Sequence, residues 1–587
     1  VTFREWLQGE GYTPEQLLVE TWEQVRPVVE TERVAYPALH YFTQRFRTRA
    51  LGSFMATQRR IIEETYGRSF PTVVNFSDGA IYYANFCGQG VDYFELLDSS
   101  QQNAIWGEDW SNIASTYQCA AFNVALMQAA ARKRSQQVGH YLIAHAGRTA
   151  WDTKTKAAGE TARGVRIWKN FSYGPAWGTH EGGPPWRTHV WYARPGVWTA
   201  NAEITREIGA VEDWLATAEA APAEVALLYS SSSDIWTMWD NLAYGFDRMH
   251  TWLALAHAQI PVDILSERDV TDGELARYKV CYLSGPNLTR AAAARLRAWV
   301  EAGGTLWITA GAASRDEFNS FNRPLDELSS LLAAHREAAA TLESFQYSGR
   351  LLDRLTAKDT VAWGGELLEV LSVKESLTPR DNSEVLARFS DGAPAVVRGR
   401  AGSGQVIQAG FLPALCYIKA ALSARRAAEK GQADTAAAAQ ARPPEDGQPE
   451  ATAASLAVSA APGTVAAASA VERELLERSY NPWDFPAAVR ELLLTPVREA
   501  DVRPPLTCDT PLVDAVGLPC EHGLLVVLAN HTLHPLEHLT LEFRTDQTVA
   551  YVESVRHGRL AFESPRPGTI RWVMPLEASD YVKVKTE

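Results

Sequence analysis

Short apolar runs alternate with longer amphipathic stretches through residues 1–218. The strand-like runs are FPTVVNFS, VDYFELLDSS, GHYLIAHAG and VRIWKNFSYGP, and the helical stretches between them include STYQCAAFNVALMQAAARKR and TAWDTKTKAAGETAR. Such alternation of strand and helix predicts an α/β domain with a parallel sheet. Its ligand-facing residues should lie just past the C-terminal end of each strand.

A second alternation follows in residues 219–419. The apolar runs AEVALLYS, IPVDILSE, YKVCYLSG and GGTLWITAGA are separated by helical stretches such as LTRAAAARLRAWVEAG. This pattern predicts an open, doubly wound, flavodoxin-like sheet. The later stretch EVLARFSDGAPAVVRGRAGSGQVIQAGF has the two-residue alternation of antiparallel strands, which would close one edge of that sheet.

The composition changes after this domain. Residues 420–470 are rich in Ala, Gln, Pro, Glu and Gly without a sustained apolar face, which favours a mobile insertion over an isolated helix. The helical stretch FPAAVRELLLTPV lies within residues 471–500, which we expect to complete the flavodoxin-like domain. Residues 501–587 contain short alternating runs between turn residues, and these predict a small β-sandwich.

Charge and composition exclude several kinds of partner. The net charge of −14 argues against nucleic-acid and acidic-membrane surfaces. No apolar run approaches the roughly 20 residues that cross a bilayer, so we expect a soluble protein. The sequence shows no signal peptide at Val1 and leaves the compartment open. The six cysteines include no C-x-x-C pair, so no metal site is predicted. Only Cys508 and Cys520 are close enough in sequence to suggest a local disulfide, and the sequence leaves that pairing open.

The stretch IWGEDWSN places two acids, Glu108 and Asp109, between Trp106 and Trp110. It follows the predicted strand VDYFELLDSS, at the end where α/β barrels carry their chemistry. One interpretation is a catalytic carboxylate with a tryptophan as a platform for a sugar ring. The other is a structural turn, in which Asp109 caps a helix beginning near Ser111 and the tryptophans pack beneath it.

A long loop, SYGPAWGTHEGGPPWR, supplies the second set of candidates. It follows the last strand-like run of residues 1–218 and is too rich in Gly and Pro for regular structure, and long loops of this kind are commonly functional. Glu181 is its candidate catalytic carboxylate. Its candidate substrate-binding aromatic residues are Tyr173, Trp177 and Trp186. The alternative is a loop that contacts a neighbouring subunit.

Single polar residues at strand ends are weaker candidates. Asn75 could hydrogen-bond a sugar hydroxyl, or it could form the turn after its strand. Of the two histidines that flank GHYLIAHAG, His145 is the better substrate-binding candidate, whereas a structural role is the commoner one for a lone histidine. In the second domain Cys281 lies inside a strand and Ser284 lacks the G-x-S-x-G pattern, so we expect an assembly module rather than an amidotransferase.

The first 22 residues contain a distinctive pattern of aromatic residues and leucines: Phe3, Trp6, Leu7, Tyr12, Leu17 and Trp22. With this pattern and the domain order described above, the chain resembles the β-galactosidases of glycoside hydrolase family 42, where such a segment follows the fourth barrel strand. The resemblance implies that residues 1–218 are the C-terminal half of a (β/α)8 TIM barrel, containing strands five to eight. It also implies that residues 219–419 are a trimerisation domain related to class I glutamine amidotransferases.

The sequence departs from the family pattern at both catalytic positions. The family's acid/base glutamate ends the fourth strand, and this sequence begins after that point. The nucleophilic glutamate ends the seventh strand, where this chain has Leu142-Ile143-Ala144-His145. Because half a barrel has exposed sheet edges, we expect the chain to be part of a longer protein or to pair with another.

These observations lead to one functional prediction with two alternatives. The prediction is a carboxylate-based glycoside hydrolase that acts on a β-linked glycoside, without a cofactor, and assembles as a homotrimer. The first alternative is a carbohydrate-binding protein that has lost catalysis, and the second is a pure assembly subunit with no affinity for sugars. The sequence assigns neither the sugar nor the linkage.

Overall fold

Two groups of parallel strands and a β-rich C-terminal unit form this α/β structure. The computed structural model describes residues 2–76, 84–86, 91–108, 115–134, 136–143, 149–171, 195–320, 331–344, 349–439 and 467–587. Of the site candidates named above, Asn75, Trp106 and Glu108 lie within these ranges.

The first unit is built on a four-stranded parallel sheet. Its strands, paired in chain order, are β1 (Val73–Phe76), β2 (Ala104–Gly107), β3 (Gln137–Ile143) and β4 (Val165–Phe171). Its helices are α1 (Phe3–Gly9), α2 (Pro37–Tyr66), α3 (Tyr93–Ser100), α4 (Cys119–Ala131), α5 (Ala150–Ala162), α6 (Pro195–Gly209) and α7 (Glu212–Ala216). The predicted parallel pairing is therefore present.

The run VDYFELLDSS, predicted to be a strand, forms helix α3 instead. The Asp92 carboxylate accepts hydrogen bonds from the backbone amides of Phe94 and Glu95 at 2.8 and 3.3 Å and so caps the helix start. Tyr93, Leu96, Leu97 and Ser100 are buried along one face. The spacing of these buried residues is helical. The strand prediction was wrong because so short an apolar run fits both the helical and the two-residue repeat. The strand that follows is β2, so Trp106 lies inside a strand rather than after one.

The second unit contains a seven-stranded mixed sheet in the order β15-β16-β17-β8-β7-β5-β6. Its strands are β5 (Val225–Tyr229), β6 (Val262–Ser266), β7 (Val280–Leu283), β8 (Thr305–Ile308), β15 (Glu384–Arg388), β16 (Pro394–Ala401) and β17 (Gly404–Ala409). Helices α8 (Ser231–Thr237), α9 (Ala243–Ala256), α10 (Glu267–Thr271) and α11 (Arg290–Glu301) connect the parallel strands. Every residue of β5, β7 and β8 is buried, as expected for a parallel sheet covered on both faces.

Short strand pairs extend this unit beyond β8. They are formed by β9 (Ala334–Arg336), β10 (Ala340–Thr341), β11 (Asp359–Trp363), β12 (Glu366–Val370), β13 (Val373–Lys374) and β14 (Leu377–Pro379). The predicted antiparallel edge is present, because β15, β16 and β17 pair antiparallel and β17 then joins β8 in parallel.

A long helix, α12 (Pro413–Ala439), crosses the predicted boundary between residues 419 and 420. The expected insertion therefore does not start at 420. Ala421 and Ala428 are buried, and the Arg425 guanidinium donates to the carbonyl oxygens of Ser479 and Asn481 at 2.6 and 3.1 Å. These contacts extend the helix past the domain core, although its sequence shows no continuous apolar face. Of the rest of the predicted insertion, residues 440–466 lie outside the described residues, whereas residues 467–470 lead into the next helix.

Short helices lead from this region into the C-terminal unit: α13 (Ala470–Arg478), α14 (Ala487–Leu493) and α15 (Thr495–Glu499). One antiparallel sheet contains β18 (Leu506–Cys508), β21 (Leu536–Arg544), β24 (Phe562–Arg566) and β25 (Thr569–Leu576). The other contains β19 (Val513–Cys520), β20 (Gly523–Asn530), β22 (Val549–Ser554), β23 (Gly558–Leu560) and β26 (Ser579–Thr586). Both sheets contribute to one apolar core around Trp572.

The described residues also bear on two further expectations, a local disulfide and a membrane span. Cys508 and Cys520 are both free thiols, so the suggested disulfide is absent; they belong to strands of different sheets. Within the described ranges, none of the helices combines the length and the apolar character that crossing a membrane requires.

Candidate functional site

One face of the four-stranded sheet, which we call the inner face, brings two predicted site residues together. Asn75 and Trp106 are Cα register partners on β1 and β2, and Trp106 is in turn the partner of Gly139 on β3. The indole of Trp106 covers Gly139 closely: a Cβ on that glycine would lie 2.4 Å from Cε3 of Trp106. The absence of a side chain at 139 therefore creates the space in which the Trp106 ring lies.

An aromatic and cationic pair that the sequence analysis missed continues this face. The Tyr141 ring meets the Trp106 ring edge to face, with centroids 5.5 Å apart. Lys169, the register partner of Tyr141 on β4, is exposed and places its Nζ atom 5.3 Å from the Tyr141 centroid. The two-residue alternation of GHYLIAHAG could have revealed Tyr141, because it shares the face of Gly139. We define the inner-face cluster as Asn75, Trp106, Glu108, Tyr141 and Lys169.

Glu108 lies at the C-terminal end of a parallel strand. It directly follows β2, and its backbone amide donates to the Phe76 carbonyl oxygen at 3.0 Å, so the ladder between β1 and β2 continues by one bond. The residue is buried, with 9% of its surface exposed. A carboxylate is thus held at the C-terminal ends of two parallel strands, beside a half-buried tryptophan.

The remaining predicted site residues cannot be placed in this geometry. Asp109 and Trp110 of IWGEDWSN, His145 after β3, and the whole loop with Tyr173, Trp177, Glu181 and Trp186 lie outside the described residues. Their roles stay predictions. No group of three or more His, Cys, Asp or Glu side chains within the described ranges is arranged to hold a metal ion.

The opposite face of the sheet carries a buried charged cluster formed by His140, Lys156 and Glu160. His140 Nδ1 lies 3.2 Å from Glu160 Oε1, and Lys156 Nζ lies 3.7 Å from the same oxygen. The Lys156 ammonium also donates to the Tyr141 carbonyl oxygen at 2.9 Å. All three side chains are fully buried between the sheet and α5, so His140 belongs to a structural charge cluster and does not reach the inner face.

The second unit contains a larger cleft of about 700 Å³ at the C-terminal ends of its parallel strands. Tyr244, Asn287, Arg315, Arg336 and Glu375 are among the residues that line it. The amidotransferase alternative finds no support there. Cys281 is fully buried inside β7, where burial raises the pKa of its thiol to about 12, and it is absent from the cleft wall. A thiol held protonated is a poor nucleophile.

Among comparisons with known proteins, a match to a protein-family model covers most of the second unit. Residues 223–423 match the family model described as the β-galactosidase trimerisation domain. A search of curated protein sequences gives no match.

Solved structures resemble the chain over nearly its whole length. The family 42 β-galactosidase Gan42B of G. stearothermophilus aligns with 99% of this chain and 75% of its own, with a TM-score of 0.66 and 16% identity. The β-galactosidase of Bacillus circulans sp. alkalophilus covers 99% and 76%, with a TM-score of 0.63 and 14% identity. The α-L-fucosidase isoenzyme 2 of Paenibacillus thiaminolyticus covers 100% and 75%, with a TM-score of 0.51 and 13% identity.

At these identities the likeness shows the fold. The resemblance to family 42 glycoside hydrolases that the sequence suggested is confirmed at that level, through the matched trimerisation domain and the aligned structures. Because the similar structures include both β-galactosidases and an α-L-fucosidase, the fold by itself does not assign a substrate.

Proposed function

We propose that this protein is a glycoside hydrolase acting on a β-linked glycoside, with its active site on the inner-face cluster. One observation carries the proposal: the Glu108 carboxylate lies at the C-terminal end of β2, beside the register-paired Trp106 and Asn75. A carboxylate, an aromatic ring and an amide are the groups that cleave a glycosidic bond, stack on a sugar ring and bind a hydroxyl.

The proposed mechanism uses two carboxyl groups. Glycosidases need one group to protonate the leaving oxygen and a second to act as nucleophile or to activate water. Glu108 supplies one of them. Asp109 and Glu181 are the candidates for the other, and the roles of acid and nucleophile stay open among these three residues. Trp106 and the predicted aromatic residues Trp110, Tyr173, Trp177 and Trp186 would form the sugar platform, and His145 is a further substrate-binding candidate.

The proposed architecture would bring these residues together. We infer that β1 to β4 are the fifth to eighth strands of a (β/α)8 barrel, followed by a flavodoxin-like domain and a β-sandwich. Within the described residues β1 and β4 each have a single strand partner, whereas a closed barrel of eight strands pairs every edge. In a closed barrel the inner-face cluster would line the barrel interior, at the end where barrel enzymes bind substrate.

A non-catalytic carbohydrate-binding protein is the second candidate. It is favoured by one feature of the sequence: β3 leads into Ile143-Ala144, so no carboxylate is present where the resembling family has its nucleophile. Alanine cannot attack an anomeric carbon, whereas the aromatic and amide groups would still bind a sugar.

Turnover of aryl glycosides separates these two candidates. We expect the protein to release p-nitrophenol from at least one member of a panel of p-nitrophenyl β-glycosides and not from its α-linked anomer, which serves as the matched control. Binding of the sugar in calorimetry without release of p-nitrophenol across the panel would establish the binding protein instead. Turnover of the α anomer at the same rate would contradict the proposed β specificity.

We also propose that the protein assembles as a homotrimer through residues 223–423, the part that matches the trimerisation domain. Cyclic closure with three copies is a common symmetry, and the loop that contains Glu181 would then lie near a neighbouring subunit. Multi-angle light scattering should give three times the chain mass of 64.7 kDa. A particle of one chain mass would contradict the trimer.

A further inference from the structure

A cleft of about 290 Å³ lies where the three units of the chain meet. We call it the junction cleft. Its walls come from α4 and the starts of β3 and β4 in the first unit, from α9 and the edge strand β6 in the second, and from β19 in the C-terminal unit. Its larger apolar wall residues are Val138, Trp252, Ile260, Val262, Val516 and Leu518. The volume is at the lower end of the range found for small-molecule sites.

Two of the three arginines in the junction cleft are paired with carboxylates. Arg163 binds Asp514 through two hydrogen bonds of 2.6 and 2.9 Å, and this pair joins α5 to β19 across the unit boundary. Arg132 NH1 lies 3.4 Å from Asp263 Oδ2 on β6. The charges of these two arginines are therefore balanced within the protein.

Arg166 differs from both. Its guanidinium donates only to backbone carbonyl oxygens, those of Thr161, Val165 and Leu215, at 3.0, 2.9 and 3.2 Å. None of the carboxylates in the described ranges lies within ion-pair distance of it. Burial lowers the pKa of Arg166, which reflects the loss of water around the cation.

A partly buried cation whose hydrogen-bond partners are all neutral would be stabilised by a bound anion. Buried charges in proteins are normally paired, because removing a charge from water is costly without a counter-charge. A second polar atom on the same wall also lacks a partner: Gln136 Oε1 is buried and accepts no hydrogen bond within the described part of the chain, so it could accept from a donor group of a ligand. The cleft thus combines an uncompensated cation and an unused acceptor with apolar walls.

We propose that the junction cleft binds a small carboxylic acid with an apolar body, whose carboxylate pairs with Arg166 and whose hydrocarbon part contacts the apolar walls. The site is separate from the inner-face cluster, since it lies at the N-terminal ends of β3 and β4 and at the opposite end of the sheet from Glu108. Because the ligand touches all three units, its binding stabilises their mutual arrangement.

Calorimetric titration with three probes tests the chemistry of the ligand. Hexanoate carries both the carboxylate and the hydrocarbon chain, acetate carries the charge alone, and 1-hexanol carries the chain alone. We expect hexanoate to bind at least about tenfold more tightly than either of the others. Equal affinity for hexanoate and 1-hexanol, equal affinity for hexanoate and acetate, or no binding of hexanoate would each overturn the proposal.

Two variants test the location. Arg166→Met should weaken hexanoate binding by about tenfold or more and leave 1-hexanol unaffected. Arg60→Met, at an exposed arginine of α2, is the matched control and should bind as the wild type does. Ala221→Trp places a large side chain on the half-buried linker wall of the cleft and leaves Arg166 itself unchanged, and it should abolish binding even if Arg166→Met fails to fold. Undiminished hexanoate binding by Ala221→Trp would place the ligand elsewhere and overturn the proposal.

Discussion

The Trp106 indole lies directly over Gly139, its register partner on the neighbouring strand. A Cβ at 139 would come within 2.4 Å of Cε3 and 2.6 Å of Cζ3 of Trp106, distances that real Cβ atoms do not show. The Trp106 ring therefore packs directly on the backbone of Gly139. The missing side chain at 139 determines how closely the ring approaches the inner face of the sheet.

Gly139→Ala should displace the Trp106 ring. Since the backbone of a central strand has little freedom to move, we expect the free energy of unfolding to fall by about 1–3 kcal/mol, the usual cost of overpacking. Urea denaturation followed by tryptophan fluorescence measures this. Gly196→Ala is the control, because a Cβ there meets nothing within 4 Å. Equal stability of both variants would show that Trp106 is free to move aside.

The buried cluster behind the sheet should behave as a coupled unit. Lys156→Met removes a cation that lies 3.7 Å from Glu160 and leaves that carboxylate buried, so we expect a loss of about 3–5 kcal/mol in the free energy of unfolding. Adding Glu160→Gln should recover part of this loss, with a coupling energy of about 1–3 kcal/mol in the double-mutant cycle.

The exposed i,i+4 pair of Arg60 and Glu64 on α2 provides the control cycle, for which we expect roughly 0.3–0.5 kcal/mol. Denaturant midpoints of the single and double variants give both values. A buried coupling as small as the exposed one would mean that water or His140 compensates the charge of Glu160.

Asp247 on α9 should make stability depend on pH. Burial raises the pKa of its carboxyl to about 7, while hydrogen bonds from Ser284 and the Ala414 amide and the charge of Arg248 act in the opposite direction. Between the unfolded pKa near 3.9 and the folded pKa, the folded state holds more protons than the unfolded state. The contribution of Asp247 is therefore most favourable below about pH 4 and is lost as the pH rises to about 7.

Asp247→Asn removes this titration while keeping the oxygen that accepts from the Ala414 amide at 3.0 Å. Relative to the wild type, the variant should gain more than about 1 kcal/mol in the free energy of unfolding between pH 4 and pH 7.5. Comparison with the wild type cancels the opposite trend from buried histidines such as His250, whose pKa burial lowers to about 4. A difference that is constant with pH would contradict the assignment.

The sequence predicted strands that are apolar throughout more reliably than runs that fit two periodicities. Runs such as AEVALLYS and YKVCYLSG are apolar throughout and bounded by turn residues, and they became β5 and β7. VDYFELLDSS has apolar residues at both two-residue and helical spacings. The Asp92 carboxylate stabilises the helix by capping its first turn. Local periodicity carries no information about a cap whose hydrogen bonds form only after folding.

The candidate site residues illustrate the same limit of local patterns. Asn75, Trp106 and Glu108 were named as candidates from residue type and an expected strand end; Glu108 does follow a strand, but that strand is β2 and not the run VDYFELLDSS. Tyr141 and Lys169 were missed because their importance comes from register: β3 and β4 place them side by side, and Trp106 contacts Tyr141 across β2 and β3. Pairing between strands about 30 residues apart is a long-range property that residue types alone do not specify.

In the proposed mechanism Glu108 takes part directly in glycoside cleavage. The most direct test is kcat/KM for the best aryl β-glycoside, measured for Glu108→Gln and for Glu64→Gln, a glutamate of α2 that is 61% exposed. We predict a loss of about 100-fold or more for Glu108→Gln, within the range for removing a general acid or base, at an unchanged thermal unfolding midpoint. Glu64→Gln should retain wild-type activity. Wild-type kcat/KM in Glu108→Gln would contradict the account.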